Sequence, residues 1–170
     1  MAKRHSLPSV ARSDARILIL GSMPGTLSLQ EQQYYAQPRN AFWQIMGQLY
    51  GFDQEVPYES RLGILMDRRI ALWDVLASCY RPGSMDADIR TGDALANDFS
   101  AFFSAHPAVV RVFFNGATAH KFYERLVVPA LDGADDRLRY ERLPSSSPAN
   151  AAMRLKEKVR VWRGALSGVS

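Results

Sequence analysis

Short apolar runs alternate with longer segments of helical spacing along this chain. Three runs, residues 17–20, 69–73 and 109–114, are rich in branched or aromatic side chains and stop at a glycine or a polar residue. Runs of this length predict strands buried on both faces of a parallel sheet. Residues 138–143 alternate apolar and polar side chains instead, which predicts a final strand at an edge of the sheet.

Apolar side chains recur at helical spacing in five further segments. They are residues 37–50, 57–67, 93–105, 117–126 and a last segment that begins after Ser147. Gln37 and Pro38 are typical of an N-cap and a first helical position, so Asn40 is expected in the first turn. Ser147 and Pro148 predict the same kind of start for the last helix.

The same spacing predicts which side chains face inward. In the third helix the inward set is Leu95, Phe99 and Phe102. In the last helix the expected buried set is Leu155, Val159, Trp162 and Leu166, and the expected exposed set is Lys156, Lys158, Arg160 and Arg163.

The remaining segments predict connections. Residues 1–13 predict a loosely held arm that wraps back on the domain, residues 75–90 an irregular loop and residues 132–136 an acidic turn. Strands that alternate with helices imply an α/β fold. We expect a single domain over residues 1–170, with a mainly parallel sheet of about four strands covered on both sides.

Composition narrows the class of protein. The 170 residues are 47% hydrophobic, which is enough for one globular core. Cys79 is the only cysteine and there are three histidines, so neither a disulfide framework nor a zinc site is expected, and no cofactor is implied. No apolar run is long enough to span a membrane and no signal-peptide core is present, which predicts a cytoplasmic protein. The net charge of +4 permits contact with nucleic acid but does not establish it.

Candidate chemistry lies where the predicted strands end. Gly21 and Gly25 bracket a tight turn after the first strand, Asp74 follows the second strand, and Asn115 follows the third. Because ligands of open α/β sheets bind at the carboxyl ends of the strands, we expect these residues near one site. Each of these residues also has an ordinary structural alternative. The glycines can be turn residues, the Asp74 carboxylate can cap the next segment, and Asn115 can hold the turn into the next helix.

Four motifs in a fixed order carry a further indication. They are GSMPG at residues 21–25, YYAQPRNAFW at 34–43, VFFNG at 112–116 and LPSSSPAN at 143–150. The joint pattern resembles the uracil-DNA glycosylase superfamily, most closely its hypoxanthine-DNA glycosylase branch and more faintly the mismatch-specific uracil/thymine glycosylases. The resemblance covers residues 17–162 and implies a three-layer α/β/α sandwich.

The resemblance implies an enzyme that hydrolyses the N-glycosidic bond of deaminated bases in DNA, hypoxanthine before uracil or xanthine. The target nucleotide must then swing out of the stack into a pocket. Tyr35 is the candidate stacking ring, although its burial in the core with Tyr34 as the exposed partner is the alternative. The remaining candidate base-binding residues are Gly21, Ser22, Met23, Pro24, Phe42 and Asn115, the last with a favoured structural role in the strand-to-helix turn.

Asn40 and Asp74 are the candidate catalytic residues. An asparagine can donate to a base carbonyl and accept from a ring N–H, and a carboxylate can accept from the same N–H. Relatives carry Asp or Asn directly before Pro24 to orient the attacking water, whereas this chain has Met23, which cannot do so. The resemblance to the hypoxanthine branch implies that Asn40 takes this role, with Asp74 as the second candidate.

The last motif predicts contact with the DNA backbone. Its residues are Ser145, Ser146, Ser147, Pro148, Ala149 and Asn150. Hydroxyls beside a helix N-terminus suit phosphates, and a plain linker is the alternative. Ala149 and Asn150 stand where relatives carry a leucine or arginine wedge. Either another loop, such as residues 81–85, fills the gap left by the base, or the enzyme prefers mismatched or single-stranded sites.

No lysine stands in the main motifs, so Schiff-base lyase chemistry is not expected. The prediction is therefore a metal-free, monomeric and monofunctional DNA glycosylase. Two alternatives are a mismatch-specific uracil/thymine glycosylase and a non-catalytic DNA-binding module, the second because of Met23.

Overall fold

The computed structural model describes residues 2–131 and 136–169. Its strands are β1 (Lys3–His5), β2 (Ile17–Gly21), β3 (Ile70–Asp74), β4 (Leu76–Tyr80), β5 (Leu95–Ala96), β6 (Arg111–Asn115) and β7 (Arg139–Leu143). Its α-helices are α1 (Thr26–Glu31), α2 (Phe42–Tyr50), α3 (Tyr58–Asp67), α4 (Phe99–Ala105), α5 (Ala117–Phe122) and α6 (Leu155–Ser167). The predicted acidic turn falls largely on residues 132–135, which lie outside the described residues.

Four parallel strands form the central sheet, in the order β3-β2-β6-β7. The predicted strands are confirmed, and β7 is an edge strand as its alternating pattern predicts. All four side chains from Arg139 to Arg142 are exposed, and Leu143 is buried. Charged side chains on an edge strand oppose pairing with another sheet.

Two hydrophobic cores lie on opposite faces of this sheet, because successive side chains of a strand point to opposite sides. Ile17 and Ile19 pack with α2, α3 and α6 on one face. Leu18 and Leu20 pack on the other face with α4, α5 and the buried thiol of Cys79. The fold is therefore the predicted α/β sandwich, with a covering layer on each side of the sheet.

Residues 75–90 differ from the predicted irregular loop. They contain β4, which pairs antiparallel with β1 and β5 in a second, three-stranded sheet. The N-terminal arm is consequently held by strand pairing, with Lys3 opposite Tyr80. Of the two partners of β4, β1 lies some seventy residues away in sequence, and the mixed polarity of residues 76–80 does not by itself mark a strand.

Helices α2 and α6 begin later than predicted. Helix α2 begins at Phe42, because the side-chain oxygen of Asn40 accepts from the Phe42 N–H and the Ala41 N–H donates to the carbonyl oxygen of Ser146. Helix α6 begins at Leu155, because the chain after Ser147 turns back on itself with Asn150 N–H donating to the Ser147 carbonyl oxygen. Neither Pro38 nor Pro148 occupies a first helical position.

Three smaller expectations were also wrong. Leu95 is 54% exposed in β5, because α4 begins only at Phe99, where Asp98 caps it by accepting from Ala101 N–H. Helix α5 ends at Phe122 and gives way to a π-helical turn over Tyr123–Val127. Lys158 is only 5% exposed. The predicted burial of Val159, Trp162 and Leu166 is confirmed, and Leu155 is half-buried.

Candidate active site at the carboxyl edge of the sheet

The register of the sheet brings the ends of its strands together. Gly21 pairs with Asp74 across β2 and β3, and Asn115 pairs with Leu143 across β6 and β7. Since β2 and β6 are also neighbours, Asp74, Gly21 and Asn115 follow one another along the same edge. The segment of residues 144–150, here called the serine loop, leaves β7 at this edge.

A hydrogen-bonded chain joins the tyrosine motif to the serine loop. The Ser146 hydroxyl donates to Asn40 Oδ1 at 2.7 Å and accepts from Asn115 Nδ2 at 2.8 Å. Asn115 Oδ1 accepts from the Ser146 N–H at 2.9 Å. Asn40, Asn115 and Ser146 therefore form one unit, in which the Asn115 side chain holds the serine loop rather than the strand-to-helix turn expected from the sequence.

These hydrogen bonds fix the orientation of the Asn40 side-chain amide. Asn40 Oδ1 accepts from the Phe42 N–H at 3.0 Å as well as from Ser146. A backbone N–H can only donate, so the group facing it must be the oxygen, and both its lone pairs are used. The half-buried amide group of Asn40 keeps its Nδ2 without a partner among the described residues. Asn40 can therefore donate to a ligand, but it has no acceptor left to offer.

The two tyrosines have different environments. Tyr34 is 3% exposed, its hydroxyl donates to the Pro8 carbonyl oxygen at 2.7 Å, and its own carbonyl oxygen accepts from the Trp43 ring nitrogen. Tyr35 is half-buried and stacks on Phe42 with 4.0 Å between ring centres. Tyr34 is thus the core residue of the pair, and the fully buried Phe42 supports the ring of Tyr35.

Tyr35 adopts a left-handed backbone conformation with φ of 55°. Such a conformation is uncommon for a bulky residue and is concentrated at ligand sites. The Tyr35 hydroxyl is buried without a hydrogen-bond partner among the described residues. Burial raises its pKa strongly, as does the charge of Asp74; the nearby Asn115 side chain lowers it but does not reach hydrogen-bonding geometry.

Asp74 places a buried carboxyl group beside these residues. It is 3% exposed, and its Oδ2 has no hydrogen-bond partner among the described residues. Burial, and then the charge of Asp86, raise the pKa of Asp74 to about 7, against an opposing effect of Arg81. A carboxyl group in this state can exchange a proton near neutral pH.

Gly21 leaves the space that Asp74 and Tyr35 occupy. A Cβ atom at residue 21 would lie 2.5 Å from Asp74 Oδ1 and 3.3 Å from the Tyr35 hydroxyl. Both polar groups therefore converge on the backbone of Gly21, and a side chain at this position would displace them.

The turn after Gly21 contacts Arg81 and Asp86 and not the side chains of Asn40 and Tyr35. Ser22 donates to Asp86 at 2.6 Å, the Arg81 guanidinium donates to the Pro24 carbonyl oxygen, and Met23 is packed in the core. The side chains of Ser22 and Met23 therefore do not join Asn40 and Tyr35. Sequence reasoning named residues 81–85 only as a gap filler; the partners of this turn, Arg81 and Asp86, carry no motif that could have indicated them.

Two side chains of helix α6 donate hydrogen bonds to backbone carbonyl oxygens of the serine loop. The ring nitrogen of Trp162 donates to the Pro144 carbonyl oxygen at 2.9 Å, and Lys158 Nζ donates to the Ser147 carbonyl oxygen at 3.4 Å. Lys158 makes no ion pair with a described carboxylate, and desolvation lowers its pKa. A buried cation without a counter-ion therefore lies under the loop.

Neither a membrane span nor a metal cluster is found in the part of the chain that the structure describes. None of its helices is long and apolar enough to cross a bilayer. None of its histidine, cysteine, aspartate and glutamate side chains form a group of three that could hold a metal ion.

The fold and these motifs belong to a known class: the chain is a member of the Uracil DNA glycosylase superfamily, whose sequence model matches residues 8–165. Among individual relatives, it is 38% identical over 148 residues to the Hypoxanthine DNA glycosylase of Methanosarcina acetivorans, covering 82% of this chain and 92% of the relative. It is 35% identical over 144 residues to the Hypoxanthine DNA glycosylase of Methanosarcina barkeri, covering 79% and 90%. The solution NMR structure of a Methanosarcina acetivorans protein described as a candidate uracil DNA glycosylase superposes with a TM-score of 0.77 at 37% identity, covering 98% of this chain and 99% of that chain.

Proposed function

We propose that this protein is a monofunctional DNA glycosylase that hydrolyses the N-glycosidic bond of hypoxanthine in DNA, with uracil and xanthine as further substrates. The observation that carries this proposal is the locked orientation of Asn40, which presents only an N–H donor. The names of the two curated relatives agree with it.

A fixed donor distinguishes hypoxanthine and uracil from adenine and cytosine, the bases from which they form by deamination. Adenine and cytosine present an exocyclic amino group, which donates, where hypoxanthine and uracil carry a carbonyl oxygen, which accepts. The Asn40 Nδ2 group would pair with the carbonyl and face the amino group donor to donor. Such an unpaired contact in a closed site strongly disfavours the wrong base.

The same donor supports bond cleavage. The departing base takes the bonding electrons, so negative charge develops on it, and a preorganised donor stabilises that charge. Asp74 supplies a carboxylate oxygen without a partner among the described residues: it would accept a proton of the attacking water and face the positive charge that develops on the sugar. Asn40 then acts on the base and Asp74 on the water, which removes the need for a polar residue at Met23.

The surroundings suit a nucleotide swung out of the stack. The Tyr35 ring, supported by Phe42, offers a stacking surface for the base. The serine loop with Lys158 beneath it offers hydroxyls and a positive charge to the phosphates. Lys158 is turned to the Ser147 carbonyl oxygen, which agrees with hydrolysis without Schiff-base chemistry. We also infer a cytoplasmic enzyme that acts without a metal ion. We infer a monomer, since the charged edge strand β7 opposes self-association.

Base release from oligonucleotides that contain hypoxanthine, uracil, xanthine or a G·T mismatch tests the proposal. Wild-type protein should release hypoxanthine fastest, and Asn40→Ala should lose about 10²–10³-fold in rate, as removal of a comparable donor does elsewhere. Asn40→Asp should lose at least as much, because a carboxylate would face the base carbonyl. Gln48→Ala, at an exposed position of α2, is the matched control and should keep the wild-type rate.

The outcomes separate the alternatives. If Asn40→Asp were as active as wild type, residue 40 would act on the water and the donor assignment would be wrong. If thymine from the G·T mismatch were released fastest, the protein would be a mismatch-specific uracil/thymine glycosylase. Tight binding without release from any substrate would leave a non-catalytic DNA-binding module.

A further inference from the structure

The loop between β4 and β5 carries an exposed methionine. Met85 is 52% exposed and lies directly before a short 3₁₀ turn over Asp86–Asp88. A single exposed apolar residue is ordinary on a protein surface, so exposure alone carries no meaning. The anchoring of its two chain neighbours distinguishes Met85.

Both neighbours are tied to the turn that opens the candidate site. The Ser84 hydroxyl accepts from the Thr26 N–H at 2.9 Å and donates to Thr26 Oγ1 at 2.8 Å. Asp86 accepts from the Ser22 hydroxyl at 2.6 Å. Met85 is therefore presented at a fixed point between two tethered residues, while its own side chain remains free.

This point lies at the rim of the site. Ser22 follows Gly21, the residue on which Asp74 and Tyr35 converge. The hydrogen bond from Ser22 to Asp86 therefore brings the loop to this edge of the sheet, and the charge of Asp86 raises the pKa of both Asp74 and Tyr35 in agreement.

The serine loop offers no side chain of comparable reach. Ala149 ends in a methyl group, and Asn150 is turned back into its own loop, where its Nδ2 donates to the Ser145 carbonyl oxygen at 3.2 Å. A nucleotide that leaves the duplex opens a gap in the stack, and proteins fill such gaps with apolar side chains, methionine among them. Methionine is long, unbranched and adaptable in shape, so it can enter a space between bases.

We propose that Met85 enters the duplex and occupies the space of the everted nucleotide. This inference rests on the proposed function, because only an enzyme that everts a base from a duplex needs such a wedge. A single strand has no stack to fill, so Met85 would contribute to duplex substrates and not to single-stranded ones.

Base release from matched single-stranded and double-stranded hypoxanthine oligonucleotides tests this. Met85→Ala should lower the rate on duplex at least about tenfold and leave the single-strand rate unchanged, and Met85→Leu should restore most of the duplex rate. Leu95→Ala is the control, since Leu95 is similarly exposed at 54% but lies on β5 and not on the loop that carries Met85. Equal effects of Met85→Ala on both substrates, or none on either, would overturn the proposal.

A second measurement does not depend on base release. 2-Aminopurine beside the lesion in a duplex brightens when it loses its stacking partner and dims again when a side chain fills the gap. Met85→Ala should give a brighter complex than wild type, and Met85→Leu should resemble wild type. Identical fluorescence for all three proteins would refute the wedge, whereas absent base release with the expected fluorescence differences would refute only the glycosylase.

Discussion

Asp74 is a buried carboxyl group whose titration near neutral pH bears on stability. Its neighbours are Asp86 on the β4–β5 loop and Arg81 at the end of β4, which act on its pKa in opposite directions, and burial dominates both. In the unfolded chain the same carboxyl group has its ordinary pKa of 3.8. Between these two values the folded protein holds a proton that the unfolded chain has released.

The stability of the protein should therefore fall as pH rises from about 4 to about 7. The contribution of Asp74 amounts to roughly 4 kcal/mol across this range, since each pKa unit corresponds to about 1.4 kcal/mol. Asp74→Asn cannot ionise and should be more stable than wild type above pH 7, with little difference at pH 4. Urea unfolding at pH 4.5, 6 and 8 measures this, with the exposed Asp88→Asn as control. Parallel pH curves for Asp74→Asn and wild type would contradict the prediction.

At this scale the sequence named Asn40, Asn115 and Ser146, which the structure brings together, but it did not predict how their side chains are oriented. It also named Ser22 and Met23, whose side chains lie elsewhere. Asn40 and Asp74 stand out because each follows a recognisable motif or strand. The acceptor of Asn40 is used by Ser146, which is 106 residues away. A contact over such a separation leaves no trace in local spacing, so the expected accepting role of Asn40 could not be corrected beforehand.

Helix α2 shows how one glycine can be required by packing. Gly51 and Phe52 both donate their N–H groups to the Gly47 carbonyl oxygen, which folds the chain tightly against the helix end. A Cβ atom at Gly47 would lie 2.3 Å from the Phe52 carbonyl oxygen. Backbone atoms at that position cannot move aside as a flexible side chain could.

Two helical glycines should therefore respond to alanine in opposite directions. Gly47→Ala should lower the free energy of unfolding by about 1–3 kcal/mol, as overpacking does. Gly63→Ala in α3 meets no atom within 4 Å and should raise it by about 0.5–1 kcal/mol through helix propensity. Urea unfolding of both variants measures the pair. Stabilisation of Gly47→Ala would mean that the chain after α2 relaxes freely.

The first residues of helices α2 and α6 could not be predicted from sequence patterns. Apolar spacing identified α2 and α6, but it placed their starts early, because hydrogen bonds to Asn40 and the turns of the serine loop replace the first helical turns. Prolines at 38 and 148 are compatible with a helix start, yet they fit these turns equally well. Spacing thus finds an element, and tertiary hydrogen bonds decide where it begins.

For the whole molecule, the central sheet was predictable and the second sheet was not. Each strand of the central sheet is a short apolar run or an alternating segment that can be read locally. The strand β4 pairs with an arm at the start of the sequence, and its own residues are mixed in size and polarity. The sandwich therefore follows from the pattern, whereas the closure of its second face depends on a long-range contact.

That arm should contribute substantially to stability. Leu7 is 5% exposed, Val10 and Leu72 exchange two backbone hydrogen bonds, and β1 covers the edge of β4. Removal of residues 2–10 should cost about 3–5 kcal/mol and promote aggregation through the uncovered strand. Lys3→Ala with His5→Ala retains the backbone pairing and should unfold like wild type. Equal urea midpoints for the truncated and intact proteins would contradict this.

Cys79 belongs to that covered strand, and its fully buried side chain has a pKa raised by burial. As the only cysteine in the chain, it gives the protein a single internal reporter group. A thiol reagent in solution would meet this sulfur only in molecules whose second sheet has opened, because the thiolate is the reactive form and requires access to water. The rate of alkylation would then record how often the arm and its sheet separate, without any label having to be introduced.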